Sequence, residues 1–511
     1  MTSYLSPGVY TKEVDFSYYV KQISTSACGM VGLAEKGPIS KPTLVTSWEQ
    51  FVRKFGSYIA DGYLAYAARA FFDNGGQVLY VNRVAHQTDP TDRTTLAAKC
   101  ATVALKDRGV GEAAKDTLRA TAINEGKWGD SISVEIADGT ADSANEFDLT
   151  VQYKGETVEV FRNLSMDESK PNHVELVVSE KSEFITVEDL SGAANAAENR
   201  PAAGTFNLAA GDDGITGMAD GDYIGDSSQH TGLYAFDEID ALNILAVPGV
   251  TTATVIAGGI TYAEGRKDLL FIAETPILLE PLEAVEFRKG EETYTHAAFN
   301  SSYAALYYPW LEISDPLTGK TKLIPPTGAV AGCIARSDEK TDVWCAPAGI
   351  DRGRIFGVLS LGYKTSRGER DALYSEGINV IASFPDTGIN IWGQKTLQSQ
   401  PSATDRINVR RLMMYIEEAI SESAKFVVFE PNNQATWRGL IRLINPFLGN
   451  IKSRGGFYDY RVQCDDETNT PAMIDQNQMV ARVFVKPTKT AEFVELSFVL
   501  TATGTLFREL Y

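Results

Sequence analysis

YYPWLEISDPLTGKTKLIPPTGAVAGCIARSDEKTDVWCAPAG, residues 307–349, holds a strand pattern, a turn, a second short strand, a proline pair and a small-residue helix start. Gly319-Lys320-Thr321 resembles the end of a phosphate-binding loop. Such a loop needs a glycine five residues ahead of its Gly-Lys, so that backbone N–H groups can curl around the phosphates. That position is Ser314. Asp315-Pro316-Leu317-Thr318-Gly319 instead has the residue types of a turn, joining strands at Trp310–Ser314 and Lys320–Ile324.

Outward from this block the pattern is α/β. Ala241–Val247 (ALNILAV) is a continuous apolar strand closed by Pro248-Gly249, and Asp268–Ala273 and Ile378–Phe384 read the same way. Helical patterns at Thr251–Glu264 and Pro281–Phe287 separate them. Strands apolar on both faces, alternating with helices, predict a sheet covered on both sides. Upstream, Leu64, Ala67, Ala68, Phe71 and Phe72 predict a helix over Asp61–Asn74, which Gly75-Gly76 ends before a buried strand at Gln77–Val84. Val9–Phe16 and Val20–Leu33 read as extended runs.

From about Thr94 to Gly232 short runs replace long ones: Ser131–Ile136, Glu146–Tyr153, Thr157–Phe161, His173–Val178 and Phe184–Val187, between loops rich in Asp, Gly, Ala, Asn and Ser. This predicts an inserted β-rich domain. The last third is α+β. Asp405 can cap a helix to Ser423, with Val409, Leu412, Met413, Ile416, Ala419 and Ile420 on one face. Phe426–Phe429 reads as a short strand, Trp437–Ile451 as a helix interrupted near Pro446, and Val480–Lys486 and Ala491–Thr501 as closing strands. The fold class is therefore α/β and α+β multidomain.

The chain has 511 residues, with 47 Lys plus Arg against 67 Asp plus Glu, a formal net charge of -20. That sign argues against nucleic acid, which rewards clustered cations, and favours solubility. No apolar run reaches the roughly 18 residues that span a bilayer, so direct membrane insertion is not expected. MTSYLSPGVYTKEV lacks the basic start and apolar stretch of a secretion signal. Five cysteines, Cys28, Cys100, Cys333, Cys345 and Cys464, are dispersed without a CxxC, which fits synthesis in a reducing cytoplasm. His86, His173, His230 and His296 show no metal-ligand spacing. GVLSLG, residues 357–362, is off register for a nucleophile elbow. The acidic pairs Glu291-Glu292, Glu417-Glu418 and Asp465-Asp466 are adjacent, so their side chains diverge. Asp212-Asp213-Gly214 and Asp220-Gly221-Asp222 lack a calcium loop's closing Glu. No catalytic residue, cofactor or metal is expected.

Three blocks together resemble the contractile tail sheath proteins of myovirus-type bacteriophages. The first comprises SPGVYTKEVD (Ser6–Asp15), GLAEKGPISKPTLVTSWEQFVRKFG (Gly32–Gly56) and YLAYAARAFFDNGGQVLYVNRV (Tyr63–Val84). The second is the 307–349 stretch with NILAVPG (Asn243–Gly249). The third is NVRRLMMYIEEAI (Asn408–Ile420), FEPNNQATWRGLIRLINPFL (Phe429–Leu448) and the closing strands. The resemblance implies a subunit that polymerises with itself as stacked hexameric rings in a helix around an inner tail tube, with baseplate and tail terminator proteins as further partners. It implies a place in the virion tail after assembly in the host bacterial cytoplasm. R-type bacteriocins and related injection machines share the design.

The implied organisation is an N-terminal arm (1–20), the N-terminal part of the core (21–93), an inserted β-rich outer domain (94–232), an α/β sheath domain (233–400), an α+β C-terminal domain (401–490) and a C-terminal arm (491–511). The arms would add strands to neighbouring subunits through Val9, Tyr10, Val14 and Phe16 and through Val494, Leu496, Phe498 and Leu500, or pair within their own subunit. A second feature is read from charge. Between Pro431 and Tyr458 there is no acidic residue, while Arg438, Arg442, Lys452 and Arg454 are all present. This basic island is a candidate contact for an acidic inner tube, or a solvated helix face. Two enzyme readings compete: a nucleotide-dependent enzyme, although Gly249-Val250-Thr251 after ALNILAV supplies no G-x-G-x-x-G, and an envelope hydrolase.

Overall fold

The computed structural model describes residue 20 and residues 23–493, except 110–113, 191–198 and 292. The chain divides into two compact units, a larger one ending at Glu422 and a smaller one beginning at Ser423. The strand expected at Val9–Phe16 lies outside the described residues; of the one expected at Ala491–Thr501, residues 491–493 are not strand and the rest lies outside the described residues.

The larger unit opens with β1 (Cys28–Gly32), β2 (Thr43–Val45) and β3 (Leu79–Arg83). A β-rich segment follows, with β4 (Thr102–Lys106), β5 (Asp116–Ala122), β6 (Ile132–Asp138), β7 (Glu146–Tyr153), β8 (Glu156–Ser165), β9 (Ile185–Asp189) and β10 (Gly204–Asn207). The α/β pattern then resumes with β11 (Ile244–Ala246), β12 (Leu270–Glu274), β13 (Ala304–Tyr308), β14 (Leu311–Ser314), β15 (Thr321–Ile324), β16 (Ser360–Leu361), β17 (Ile378–Phe384) and β18 (Gly388–Ile391).

The main sheet has the order β18-β17-β13-β12-β11-β1-β3-β2. Pairing is parallel from β17 through β3 and antiparallel at both ends. Every residue of β1, β12 and β13 is buried, because helices cover both faces. Alternate residues feed two cores: Ile272, Ala305 and Tyr307 join one, and Phe271, Ala273, Leu306 and Tyr308 the other. The first core is closed by the helices Leu64–Asp73 and Thr327–Lys340. The second is closed by Ala253–Arg266 and Pro281–Lys289.

The small residues after Pro325-Pro326 have a packing cause. A Cβ on Gly328 would sit 2.2 Å from the Ala67 carbonyl oxygen, and one on Gly332 would sit 2.4 Å from that of Phe71. The two helices touch backbone to backbone. Gly332→Val should destabilise the larger unit by roughly 1–3 kcal/mol or more, since the helices must separate; urea unfolding of the full chain measures it.

β14 and β15 form the expected hairpin. Its turn is held by Asp315, whose carboxylate accepts from the Leu317 N–H at 3.0 Å, the Thr318 hydroxyl at 2.8 Å and the Tyr66 hydroxyl at 2.8 Å. These bonds hold the Asp315 carboxyl below its ordinary pKa against the opposing effect of burial.

The β-rich segment forms two sheets, β10-β6-β7-β8 and β4-β5-β9. Its core runs from Ala101 to Leu208 and includes Trp128, Phe147, Leu149 and Phe161. The strand expected over His173–Val178 is a helix, Val174–Lys181. Val174, Val177 and Val178 satisfy helical spacing as well as strand composition, and Val174 and Val178 are buried.

The helix Ile407–Ser423 begins two residues after Asp405, which pairs with Arg406 at 3.0 Å and so is placed before the helix rather than at its expected cap. Met414 is buried in the core instead of Met413. In the smaller unit, Phe426–Phe429 is not a strand: Ala424–Val427 is a 3-10 turn, and Phe429 stands fully exposed at φ 71°. A strand needs a ladder, and this segment joins none among the described residues. The helix Gln434–Ser453 is continuous through Pro446, against the expected interruption. Proline removes one ladder N–H, but Leu443, Ile444, Leu448 and Ile451 bury the flanking turns, and the Tyr460 hydroxyl donates to the Asn445 carbonyl at 3.0 Å. β19 (Phe457–Gln463) and β20 (Arg482–Pro487) pair antiparallel, and β19 packs against this helix.

Candidate assembly surfaces

A doubly wound sheet binds small molecules at the carboxyl ends of its strands, where the strand order reverses. The chain here passes from β3 to β11 across β1, so the reversal lies between β1 and β11. That crevice is filled. A Cβ on Gly249 would meet the Tyr63 ring at 2.2 Å, and Tyr63 packs edge-on against Trp310, with ring centroids 5.2 Å apart. Beneath it Glu274 is buried and accepts the Gly249 N–H at 2.5 Å. The Gly319-Lys320-Thr321 turn is exposed on its hairpin.

Burial pushes the Glu274 carboxyl up to about 8, against the opposing effect of the Gly249 bond. A raised folded value means stability that is complete below the unfolded value of about 4.3 and is lost as pH rises through about 8. Glu274→Gln should remove this dependence, which amounts to at most about 1.4 kcal/mol per pH unit in that window. Unfolding midpoints at pH 5 and pH 9 compare the two proteins.

Among the described residues no three His, Cys, Asp or Glu side chains are grouped to hold a metal ion. The described cysteines are free, and burial raises the Cys28 and Cys333 thiols, the latter to about 11. No helix among the described residues is long and apolar enough to cross a membrane.

The basic island is exposed. Arg438 and Arg442 lie one turn apart on the helix Gln434–Ser453, and the Arg442 Nε donates to the Arg438 carbonyl at 3.3 Å. Lys452 is drawn toward β19 by Asp459 at 2.7 Å, and Arg454 follows the helix end. Three of the cations thus lie along one helix and the fourth just past its end, and Lys452 is paired with Asp459. Val9, Tyr10, Val14, Phe16, Val494, Leu496, Phe498 and Leu500 lie outside the described residues.

The β19–β20 sheet is the second surface. Tyr460, Val462, Val483 and Val485 are less exposed, while Asp459, Arg461, Phe484 and Lys486 form the solvent face. Each strand has one strand neighbour among the described residues, so each offers an outer edge for a further strand. A third surface is the loop after β12. Ile277, Leu278 and Leu282 are exposed, and Leu278 holds φ 60°, a strained conformation for a bulky side chain. The loop is fixed at both ends: Trp310 Nε1 donates to the Thr275 carbonyl at 2.7 Å and the Tyr308 hydroxyl to the Leu279 carbonyl at 2.9 Å. Rigid, strained apolar display suits a contact surface.

One structural site escaped the sequence. Arg411 and Asp338 form a bidentate ion pair at 2.8 and 2.6 Å with side chains 2% and 4% exposed, and Arg411 Nη2 also donates to the Thr25 carbonyl at 2.7 Å. It ties the residues just before β1 to two helices of the larger unit. An arginine and an aspartate far apart in sequence carry no local signal. Only the position of Arg411 among the apolar residues of its helix hints at burial.

The architecture is shared with sheath proteins. A family model for the phage tail sheath central domain matches residues 221–397, and one for the phage tail sheath C-terminal domain matches residues 399–501. Together they cover more than half of the chain. The tail sheath protein of Vibrio phage KVP40 is 39% identical over 216 residues, 42% of this chain and 31% of that protein. That of Enterobacteria phage T4 is 35% identical over 270 residues, 51% of this chain and 41% of that protein. The chain thus spans well under half the length of these two relatives. The tail sheath protein of Burkholderia phage BcepMu is 23% identical over 476 residues, 90% of each chain. In structure, a sheath tail protein of Listeria innocua matches with TM-score 0.61 at 12% identity, over 91% of this chain and 96% of that one. The helical sheath of the anti-feeding prophage in its contracted state matches with TM-score 0.57 at 19% identity, over 97% and 99%. The chain belongs to the phage tail sheath family.

Proposed function

We propose that the chain polymerises with copies of itself as stacked hexameric rings in a helix around an inner tail tube. Contraction of the assembled sheath drives the tube through the host envelope during genome ejection. The observation that carries this reading is the two-stranded β19–β20 sheet, with an edge on each side for strands from neighbours. The anti-feeding prophage relative, whose sheath is helical and has a contracted state, supports it. A helical polymer needs heterologous contacts that do not close, and strand addition through 9–16 and 493–506 supplies them. Main-chain bonds keep the links while side-chain surfaces such as Ile277, Leu278 and Leu282 exchange. Baseplate and terminator proteins cap the two ends, and the assembly forms in the host bacterial cytoplasm before joining the virion. The sheath of an R-type bacteriocin or another injection system is the same reading with a different cargo.

Arg438, Arg442, Lys452 and Arg454 are assigned to the tube. Exposed charge pairs contribute only about 1 kcal/mol or less each, so such contacts release on contraction. Arg438→Glu with Arg442→Glu should give sheaths that no longer co-sediment with tubes, while self-assembly persists. Full-length extended sheaths around tubes in that variant would remove the assignment.

A further inference from the structure

The β-rich segment carries three aromatic rings whose use the proposed function leaves open. Trp128, Tyr153 and Phe184 come from different parts of the segment and converge, with ring centroids 5.7–6.4 Å apart. The Lys36 ammonium, from the loop after β1 in the main-sheet core, reaches all three: Nζ lies 5.4 Å from the Trp128 ring, 5.6 Å from Tyr153 and 5.4 Å from Phe184. Each distance is within the range over which an aromatic face attracts a cation.

The lysine is delivered by a fixed loop. The Lys36 N–H donates to the Phe55 carbonyl at 3.1 Å, and the Gly37 carbonyl accepts from buried Arg83 at 2.9 Å. Gly37 holds φ 101°, and a Cβ there would strike the Phe55 ring at 2.7 Å. The charges around the ammonium are Glu35, Glu183 and Lys154. Glu35 is itself shared, meeting the Lys154 ammonium at 3.1 Å and the Ser57 N–H at 2.8 Å. The rings are therefore a principal partner of Lys36. A cavity of about 600 Å³ opens beside the cage and is lined by Lys36 and all three rings, so the site is reachable from solvent.

We propose that Trp128, Tyr153 and Phe184 form an ammonium-binding cage on the β-rich segment, filled in cis by Lys36, and that this contact latches the segment to the main-sheet core. The ligand class is a compact organic cation, a primary or methylated ammonium. Arg83 makes a second tether by donating to the Glu125 carbonyl at 2.7 Å, so removing Lys36 opens the Trp128 and Phe184 faces without detaching the segment, while the Lys154 ammonium stays 5.0 Å from the Tyr153 ring.

The test uses the full chain and tetramethylammonium chloride as the probe, against sodium chloride at equal ionic strength. Lys36→Ala should show a saturable change in tryptophan fluorescence with tetramethylammonium and none with sodium, while wild type shows neither. Adding Phe184→Leu to Lys36→Ala should weaken that binding roughly two- to five-fold, as expected for one ring of a partly exposed cage. Hydrogen exchange at Ile123, whose N–H donates to the Phe184 carbonyl at 2.9 Å, should quicken in Lys36→Ala and be restored by tetramethylammonium or in Lys36→Arg. Lys36→Gln repeats the measurements if the alanine variant unfolds. No saturable response in the emptied cage, an equal response in wild type, or unchanged exchange in the variants would each overturn the proposal.

Discussion

A chain lacking residues 1–16 should fold as the full chain does and remain unpolymerised. The larger unit's sheet begins at Cys28, and the described members of its cores all lie beyond residue 16. On the proposed arm exchange, what is lost is a donated strand at each subunit contact. A strand of this length adds several main-chain hydrogen bonds, each a net contribution of about 1 kcal/mol. Removing several kcal/mol per contact lowers each association step by on the order of a hundredfold or more. Sedimentation should find monomers where the full chain forms large particles, with an unchanged circular dichroism spectrum. Polymers from the truncated chain would remove strand exchange by the N-terminal segment.

The second large effect is on folding. Asp338→Ala should destabilise the larger unit by about 3–5 kcal/mol, because it leaves the Arg411 guanidinium buried beside the Thr25 carbonyl with no counter-charge. Replacing both partners, Arg411→Met with Asp338→Leu, should recover most of the loss, since a buried pair repays little beyond its own desolvation. Urea midpoints of the three variants decide this. The pair also holds the chain just before β1, so loosening it should raise hydrogen exchange at the Cys28 N–H, which donates to the Val78 carbonyl at the start of the sheet. A double variant as unstable as Asp338→Ala would mean that the ion pair, with its bond to Thr25, stabilises the fold well beyond its own desolvation.

Legibility followed the range of the physics. The main sheet could be read because a strand buried on both faces is apolar along most of its length, as 241–247 and 378–384 are apart from Asn243, Asn379 and Ser383. The hairpin after Trp310 could be read because Asp, Pro and Gly each have a local backbone reason to turn. Val174–Lys181 could not, since valines three and four apart satisfy a helix while their type suggests a strand. The Phe426–Phe429 strand failed because strand composition does not provide a partner to pair with. Pro446 stays inside its helix because tertiary burial on both sides outweighs one missing bond. At the surfaces, the basic island was visible as a charge contrast, but its pairing through Lys452 and Asp459 depends on a strand that folds back. Arg411, Lys36 and the three rings meet across long sequence separations, and no local pattern marks them.

Self-assembly into a contractile sheath is the proposed function. Negative-stain electron microscopy of the purified full-length protein tests it most directly. Long hollow cylinders built from repeating rings are the expected result. Monomers that persist at high concentration and turn over nucleotide or peptidoglycan would contradict it.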